Sequence, residues 1–113
     1  MKSRANDYVI GVDSDQDALA PGKVLTSMIK RVDVGVFRLS EETVAQKLPT
    51  GHLVLGLKEN GVGLTSFAYT KSVMTADRVA RIKRIREAII AGTIKPPATR
   101  EELAQFKPVP LAR

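Results

Sequence analysis

Tyr8-Val9-Ile10-Gly11-Val12-Asp13-Ser14-Asp15-Gln16 is an apolar run that stops abruptly at polar groups. Val9, Ile10 and Val12 read as a buried strand over Tyr8 to Asp13. Asp13, Ser14, Asp15 and Gln16 crowd acceptors and hydroxyls at its carboxyl end. In α/β sheets, ligands sit in the crevice beyond the carboxyl ends of strands. A second run, Val24-Leu25-Thr26-Ser27-Met28-Ile29-Lys30, ends the same way. Val24 to Ser27 predicts a short strand, and Thr26 and Ser27 are followed by Lys30. An acidic strand end followed by a cationic one is suited to binding hydroxyls. The carboxylate accepts from vicinal hydroxyls, and the ammonium donates to the same oxygens.

Outward from these runs, Pro21-Gly22 closes a loop over 14–22. Val32, Val36, Leu39, Thr43 and Val44 recur at helical spacing and predict a helix from Arg31 to Gln46, with Glu41, Glu42 and Lys47 in water. His52 to Leu57 reads as another buried strand. Asn60-Gly61 is a short-range hairpin signal, so Val62 to Phe67 is expected to pair back on it. Val79, Ile82, Ile85, Ile89 and Ile90 form the apolar stripe of the longest helix, Met74 to Ala91. Thr75 is placed as its N-cap and Gly92 as its stop. Thr99 and Glu102 fit a capping box opening a last helix to about Phe106. Pro108 and Pro110 predict an extended tail over 107–113. Strands alternating with helices point to α/β architecture.

Composition bounds the function. At 113 residues, 43% hydrophobic and 27% charged, the chain suits one ordinary globular domain. No cysteine is present, which removes disulfides, thiolate metal sites and cysteine nucleophiles. One histidine leaves no metal cluster, and neither a metal nor a cofactor is expected. No apolar run approaches the ~20 residues of a membrane helix. The basic start, Met1 to Asp7, has no apolar stretch of the kind a secretory signal carries. The net charge of +6 raises nucleic-acid contact as a reading. Arg78, Arg81, Lys83, Arg84 and Arg86 give the long helix a basic face. A solvated outer face explains them as well, and no stacking aromatic is interleaved, so no nucleic-acid partner is expected.

Several blocks resemble the basic membrane protein family of ABC-transporter substrate-binding lipoproteins, some of which are purine nucleoside receptors. They are Gly11-Val12-Asp13-Ser14-Asp15-Gln16, Leu25-Thr26-Ser27-Met28-Ile29-Lys30-Arg31-Val32-Asp33, Leu55-Gly56-Leu57-Lys58-Glu59-Asn60-Gly61-Val62-Gly63 and Ile89-Ile90-Ala91-Gly92-Thr93-Ile94. They occur in family order between about Tyr8 and Phe106. The resemblance implies the carboxyl-terminal part of a periplasmic-binding-protein-like (type I) two-lobed fold, so 1–113 is expected to be a single partial domain. It implies a nucleoside or similar small polar ligand held between two lobes, ABC permease subunits as partners, and a location in the cell envelope. The remaining contacts would come from a missing amino-terminal lobe or a second chain. Binding without chemistry implies no enzyme.

The candidate site residues carry two readings each. Asp13 and Asp15 fit acid–base work or the capping of backbone amides at a strand end. The resemblance assigns Asp13 to the ligand hydroxyls and leaves Asp15 and Gln16 to shape the loop. Lys30 is a solvated lysine at a helix start or, by resemblance, a contact to sugar hydroxyls. Thr26 and Ser27 bind ligand or cap the following segment. Phe67 and Tyr69 are the local candidates for stacking on a base. Gly56-Leu57-Lys58-Glu59-Asn60-Gly61 lacks the Gly-Lys-Ser/Thr of a P-loop. His52 has no nucleophile beside it in sequence.

Overall fold

The computed structural model describes residues 7–108 and 110. The start, Met1 to Asn6, and tail positions 109 and 111–113 lie outside the described residues. The chain divides into two compact units, Met1–Met74 and Thr75–Arg113.

The first unit is built on a three-stranded sheet in the order β1-β2-β3, with β1 Val9–Asp13, β2 Val24–Lys30 and β3 Val62–Leu64. β1 and β2 run parallel, with Gly11 beside Ser27 and Asp13 beside Ile29. A parallel pair ordinarily needs a connection of about a dozen residues or more. Here ten residues, 14–23, suffice, because they carry only the single 3-10 turn Asp17–Leu19 and a tight reversal at Pro21-Gly22. Gly22 sits at φ 80°, and both Lys23 and Val24 donate backbone N–H groups to the carbonyl of Ala20. β3 pairs antiparallel to β2, with Met28 beside Leu64 and Lys30 beside Val62. Helix α1, Val32–Val44, follows β2.

Two apolar side chains are buried among the described residues, Val24 and Phe67, and they share the interior with Asp17, Thr26, Ser27 and Thr70. Phe67 takes part at φ 59°, an uncommon conformation for a bulky residue, and its carbonyl accepts the N–H of Thr70. Its burial removes it as a surface for stacking, whereas Tyr69 is half exposed.

Several sequence expectations need correction here. β1 forms where the Val/Ile run predicts it, but it is not buried: Val9, Ile10 and Val12 are exposed and Gly11 alone is covered. The strand lies at the edge of the sheet, so neighbours that would bury it are absent among the described residues. His52 to Leu57 is not a strand. The Asn60-Gly61 turn does not fold 62–67 back on it; Gly61 donates to the carbonyl of Gly56 and Asn60 to that of Leu57, and β3 is taken up by β2 instead. β3 also ends at Leu64 rather than Phe67. β2, by contrast, runs three residues beyond Ser27. The predicted stripe of α1 is not covered, and no residue of that helix is buried.

The second unit holds α2, Ala76–Ile90, and α3, Arg100–Gln105. α2 is the longest helix of the described residues, as its stripe requires. Thr75 occupies the N-cap position in an extended conformation, but its side chain makes no capping hydrogen bond. Gly92 at φ 79° stops the helix, with Thr93 donating to Ala88 and Gly92 to Ile89, the paired bonds of a Schellman motif. At α3, Thr99 Oγ1 accepts the N–H of Glu102 at 3.1 Å, and the Glu102 carboxylate accepts the N–H of Ala98 at 2.7 Å. The reciprocal bond of the capping box therefore falls one residue before the cap.

Candidate ligand-binding site

The site is positioned by the parallel pair. Because β1 and β2 run the same way and Asp13 stands beside Ile29, their carboxyl ends finish together, with Lys30 one residue further along. Asp13 Oδ1 and Lys30 Nζ are 2.8 Å apart, and both side chains are more than half exposed (64% and 58%). Asp13 is held at φ 76°, the left-handed region that Asp tolerates better than most residues. Behind Lys30, the Arg31 N–H donates to the Gly61 carbonyl at 2.8 Å and fixes where the strand gives way to α1.

Thr26 and Ser27 are in a different situation. They lie in the middle of β2, not at its end, and both are buried. Ser27 Oγ donates to Asp17 Oδ1 at 2.6 Å and accepts the N–H of Gln16 at 3.0 Å. The Ser27 N–H donates to Thr65 Oγ1 at 2.9 Å, and Thr26 Oγ1 shares a 2.8 Å hydrogen bond with the same hydroxyl. Thr70 Oγ1 donates to the Leu25 carbonyl at 2.8 Å. The hydroxyls of Thr26 and Ser27 are thus engaged inside the unit, tying β2 to the 14–23 loop and to the segment after β3.

Asp15 shapes the loop as expected: its carboxylate accepts the N–H of Asp17 at 3.0 Å. Sequence reasoning missed buried Asp17 and Thr70 and half-buried Thr65, the groups that hydrogen-bond to β2 at Leu25, Thr26 and Ser27. The spacing of polar residues in loops carries no signal of which one turns inward. Gly11 belongs to this support as well. A methyl group there would stand 2.5 Å from Ser27 Oγ and 2.9 Å from Gln16 Oε1, so the strand and loop meet closely only because no side chain intervenes.

Chemically, a carboxylate and an ammonium at adjoining strand ends form a donor–acceptor pair open to solvent. An exposed ion pair contributes about 0–1 kcal/mol to stability. Opening it for a ligand that gives the carboxylate hydroxyl donors and the ammonium hydroxyl acceptors therefore costs little. Among the described residues no group of three or more His, Asp or Glu side chains could hold a metal. No described helix is long and apolar enough to cross a membrane.

Comparison with known proteins shows the family of the chain. The family described as ABC transporter substrate-binding protein PnrA-like matches residues 1–100. Basic membrane protein D of Borreliella burgdorferi is 37% identical over 92 residues, which cover 80% of this chain and 27% of that protein. The CD4+ T-cell-stimulating antigen of Listeria innocua is 34% identical over 100 residues, again 80% of this chain and 27% of the relative. The chain thus spans about a quarter of the length of these curated relatives. Among solved structures, an ABC transporter solute-binding protein from Aeropyrum pernix superposes with a TM-score of 0.62 at 24% identity, over 83% of this chain and 34% of that one. A protein described as a transcriptional activator of the comK gene from Bacillus halodurans gives a TM-score of 0.70 at 24% identity, over 80% of this chain and 31% of that one. The fold is α/β, a partial periplasmic-binding-protein-like fold. With its family blocks in order and its residues 1–100 matched throughout, the chain belongs to the PnrA-like family of ABC-transporter substrate-binding proteins.

Proposed function

We propose that this chain contributes one part of a binding site that holds a nucleoside, or a similar small polar ligand, for uptake by an ABC transporter. The observation that carries the reading is the pairing of Asp13 with Lys30, 2.8 Å apart at the joined carboxyl ends of β1 and β2. In this reading Asp13 accepts hydrogen bonds from the ribose hydroxyls and Lys30 donates to them. Thr26 and Ser27 act from behind, holding β2 and the loop so that the two charged groups stay aligned. The ligand is bound and released unchanged, so no catalytic residue is assigned. Further contacts, including any surface that stacks on a base, come from the portion of the family fold that this chain does not span. The permease and a cell-envelope location follow from the family and from relatives such as an uncharacterized lipoprotein of Pyrococcus furiosus, 44% identical over 62 residues.

Asp13→Ala and Lys30→Ala test the reading in the chain joined to the rest of the fold. Each removes a charge-assisted hydrogen bond worth about 1.5–3 kcal/mol. Nucleoside affinity by calorimetry should fall roughly tenfold to a hundredfold or more for each variant. Thermal unfolding should hardly move, because the pair is exposed. Unchanged affinity in both variants would remove the assignment.

One observation supports a narrower role for the chain on its own. With two buried apolar side chains among the described residues, the first unit has little to hold a ligand cleft rigid. The chain by itself is therefore read as a component without useful ligand affinity.

A further inference from the structure

We propose that the exposed basic face of α2 docks on an anionic lipid bilayer surface, holding the second unit against the headgroups by charge. The proposal rests on the cell-envelope reading above and is independent of the ligand assigned to Asp13 and Lys30.

The positive charge of the chain is unevenly spread. Residues 75–113 carry nine Lys or Arg and four Asp or Glu, whereas residues 1–74 carry nine and eight. Nearly all of the net charge of +6 therefore belongs to the second unit. Within α2 the surplus lies in Arg78, Arg81, Lys83, Arg84 and Arg86, all exposed, set against Asp77 and Glu87. A helix tuned only for solubility gains from opposite charges three or four positions apart and loses from like ones. α2 offers Asp77 to Arg81, and Glu87 to Lys83 or Arg84, at those spacings. It also sets like charges three apart at 78 and 81, at 81 and 84, and at 83 and 86. The opposite balance holds in α1, where Arg38 stands against Asp33, Glu41 and Glu42. The surplus is thus a property of α2 and not of the surface in general.

The geometry turns this charge outward. Ile82, Ile85 and Ile89 are half-buried, so the apolar stripe is directed towards its own unit. At about 100° per residue, Lys83 and Arg84 project from the side away from that stripe, and Arg81 and Arg86 stand on its two flanks. Ala76, Ala80 and Glu87 lie between Lys83 and Arg84 in the same projection, and the long basic stems reach past them. A bilayer surface suits this face better than nucleic acid does. α2 contains no Asn, Gln, Ser or Thr, the side chains that join Arg and Lys in reading base edges and holding phosphates. It contains no aromatic residue to stack on a base. An anionic headgroup layer asks only for cations within reach, and each Lys or Arg near it adds to binding. Because the stripe is turned inward, the contact is electrostatic, without insertion, and therefore sensitive to salt.

Flotation of the whole chain with phosphatidylcholine vesicles containing one-third phosphatidylglycerol reads the docking and leaves self-associated protein at the bottom. Binding should exceed that to pure phosphatidylcholine at least about tenfold, and should fall by about as much as salt rises from about 50 to about 300 mM. Arg81→Gln/Lys83→Gln/Arg84→Gln should weaken it at least about tenfold. Lys47→Gln/Lys58→Gln/Lys71→Gln removes the same charge from exposed positions of the first unit and should leave it unchanged. Glutamine keeps the helix propensity of the residues it replaces. Arg81→Lys/Arg84→Lys, which keeps the charge, should float as the unaltered chain does. Equal binding to neutral vesicles, or equal losses in the two triple variants, overturns the proposal. Duplex DNA held through the same three residues more tightly than the vesicles at equal salt also overturns it, and makes the face a nucleic-acid surface. Cell fractionation tests the location separately. A chain that floats with anionic vesicles but is absent from the envelope fraction sinks the location and leaves the docking face standing. A chain in the envelope fraction that does not float does the reverse.

Discussion

Ser27 shows how a single hydroxyl couples a strand to a loop. It is fully buried, donates to Asp17 and accepts from the Gln16 N–H. Ser27→Ala leaves a carboxylate oxygen and an amide without their partner in the interior, and such groups cost about 1–3 kcal/mol each time one is stranded. Urea unfolding should show a loss of at least that size, larger than for Ser40→Ala, whose exposed hydroxyl only donates to the Val36 carbonyl one turn back. Equal stability of the two variants would mean that water replaces the Ser27 contacts. Asp33 is the second informative residue. Arg31 Nη2 meets its carboxylate at 2.9 Å, and the hydrogen bond from Arg31 holds the Asp33 pKa below the ordinary aspartate value. The same carboxylate holds the Arg31 pKa above its ordinary value. For a carboxylate lowered in the folded state, the stabilisation is present at neutral pH and is lost as pH falls through the folded pKa, below about 4. The pair is exposed, so the effect on stability is small. An NMR titration of the Asp33 carboxyl should give a midpoint below that of an unstructured aspartate, and Arg31→Ala should bring it back up.

The helices end by the same device with different residues. α1 closes with Lys47 donating to Glu42 and Gln46 to Thr43, and α2 closes with Thr93 donating to Ala88 and Gly92 to Ile89. Both are Schellman motifs, which place the residue after the cap in the left-handed region. That residue is Gly92 at φ 79° in α2 but Gln46 at φ 54° in α1. An L side chain in this conformation costs about 1–2 kcal/mol, and glycine avoids the cost. Opposite signs follow for the exchanged residues: Gln46→Gly should stabilise α1 and Gly92→Ala should destabilise α2, each by about 1 kcal/mol. Helix content followed by circular dichroism through a urea titration reads both. A destabilising Gln46→Gly would show that the glutamine side chain contributes contacts that outweigh its strain.

At the level of the whole molecule, the imbalance between apolar sequence and apolar burial governs behaviour. The chain is 43% hydrophobic, yet Val24 and Phe67 are the buried apolar side chains among the described residues. Val9, Ile10 and Val12 on β1, and Val32, Val36 and Phe37 on α1, remain exposed. Apolar patches larger than a few hundred Å² ordinarily find a partner. The isolated chain should therefore self-associate, and bind nucleosides weakly or not at all. Loss of three hydrogen bonds at ~1 kcal/mol each already lowers affinity more than a hundredfold. The net charge of +6 opposes association without covering the patch. Sedimentation across a concentration series, with and without nucleoside, examines both halves of the expectation. A monomer with micromolar nucleoside affinity would show that these residues contain far more of the site than proposed.

Local chemistry made part of this protein legible from sequence alone. The apolar runs at Val9–Val12 and Val24–Leu25 place the first two strands, the Ile stripe and Gly92 set the length of α2, and Thr99 with Glu102 opens α3. These are decided by side-chain sterics, capping hydrogen bonds and backbone freedom within a few residues. The acidic and cationic strand ends were legible for the same reason, since a strand carries its polar terminus with it. Tertiary structure decided what depends on distant partners. The segment 52–57 had the composition of a strand, but β2 took β3 as its antiparallel neighbour and left 52–57 without a ladder. Burial of β1 was read from its apolar residues, yet burial belongs to whatever packs on a strand, and β1 lies at an edge. Asp17, Thr65 and Thr70 became partners of β2 because the hydroxyls and backbone groups of that strand, taken out of water, must be satisfied by whichever polar groups the chain brings near. Parallel pairing is also what carried Asp13 to Lys30 across seventeen positions of sequence, an approach set by the register of the two strands rather than by any local preference.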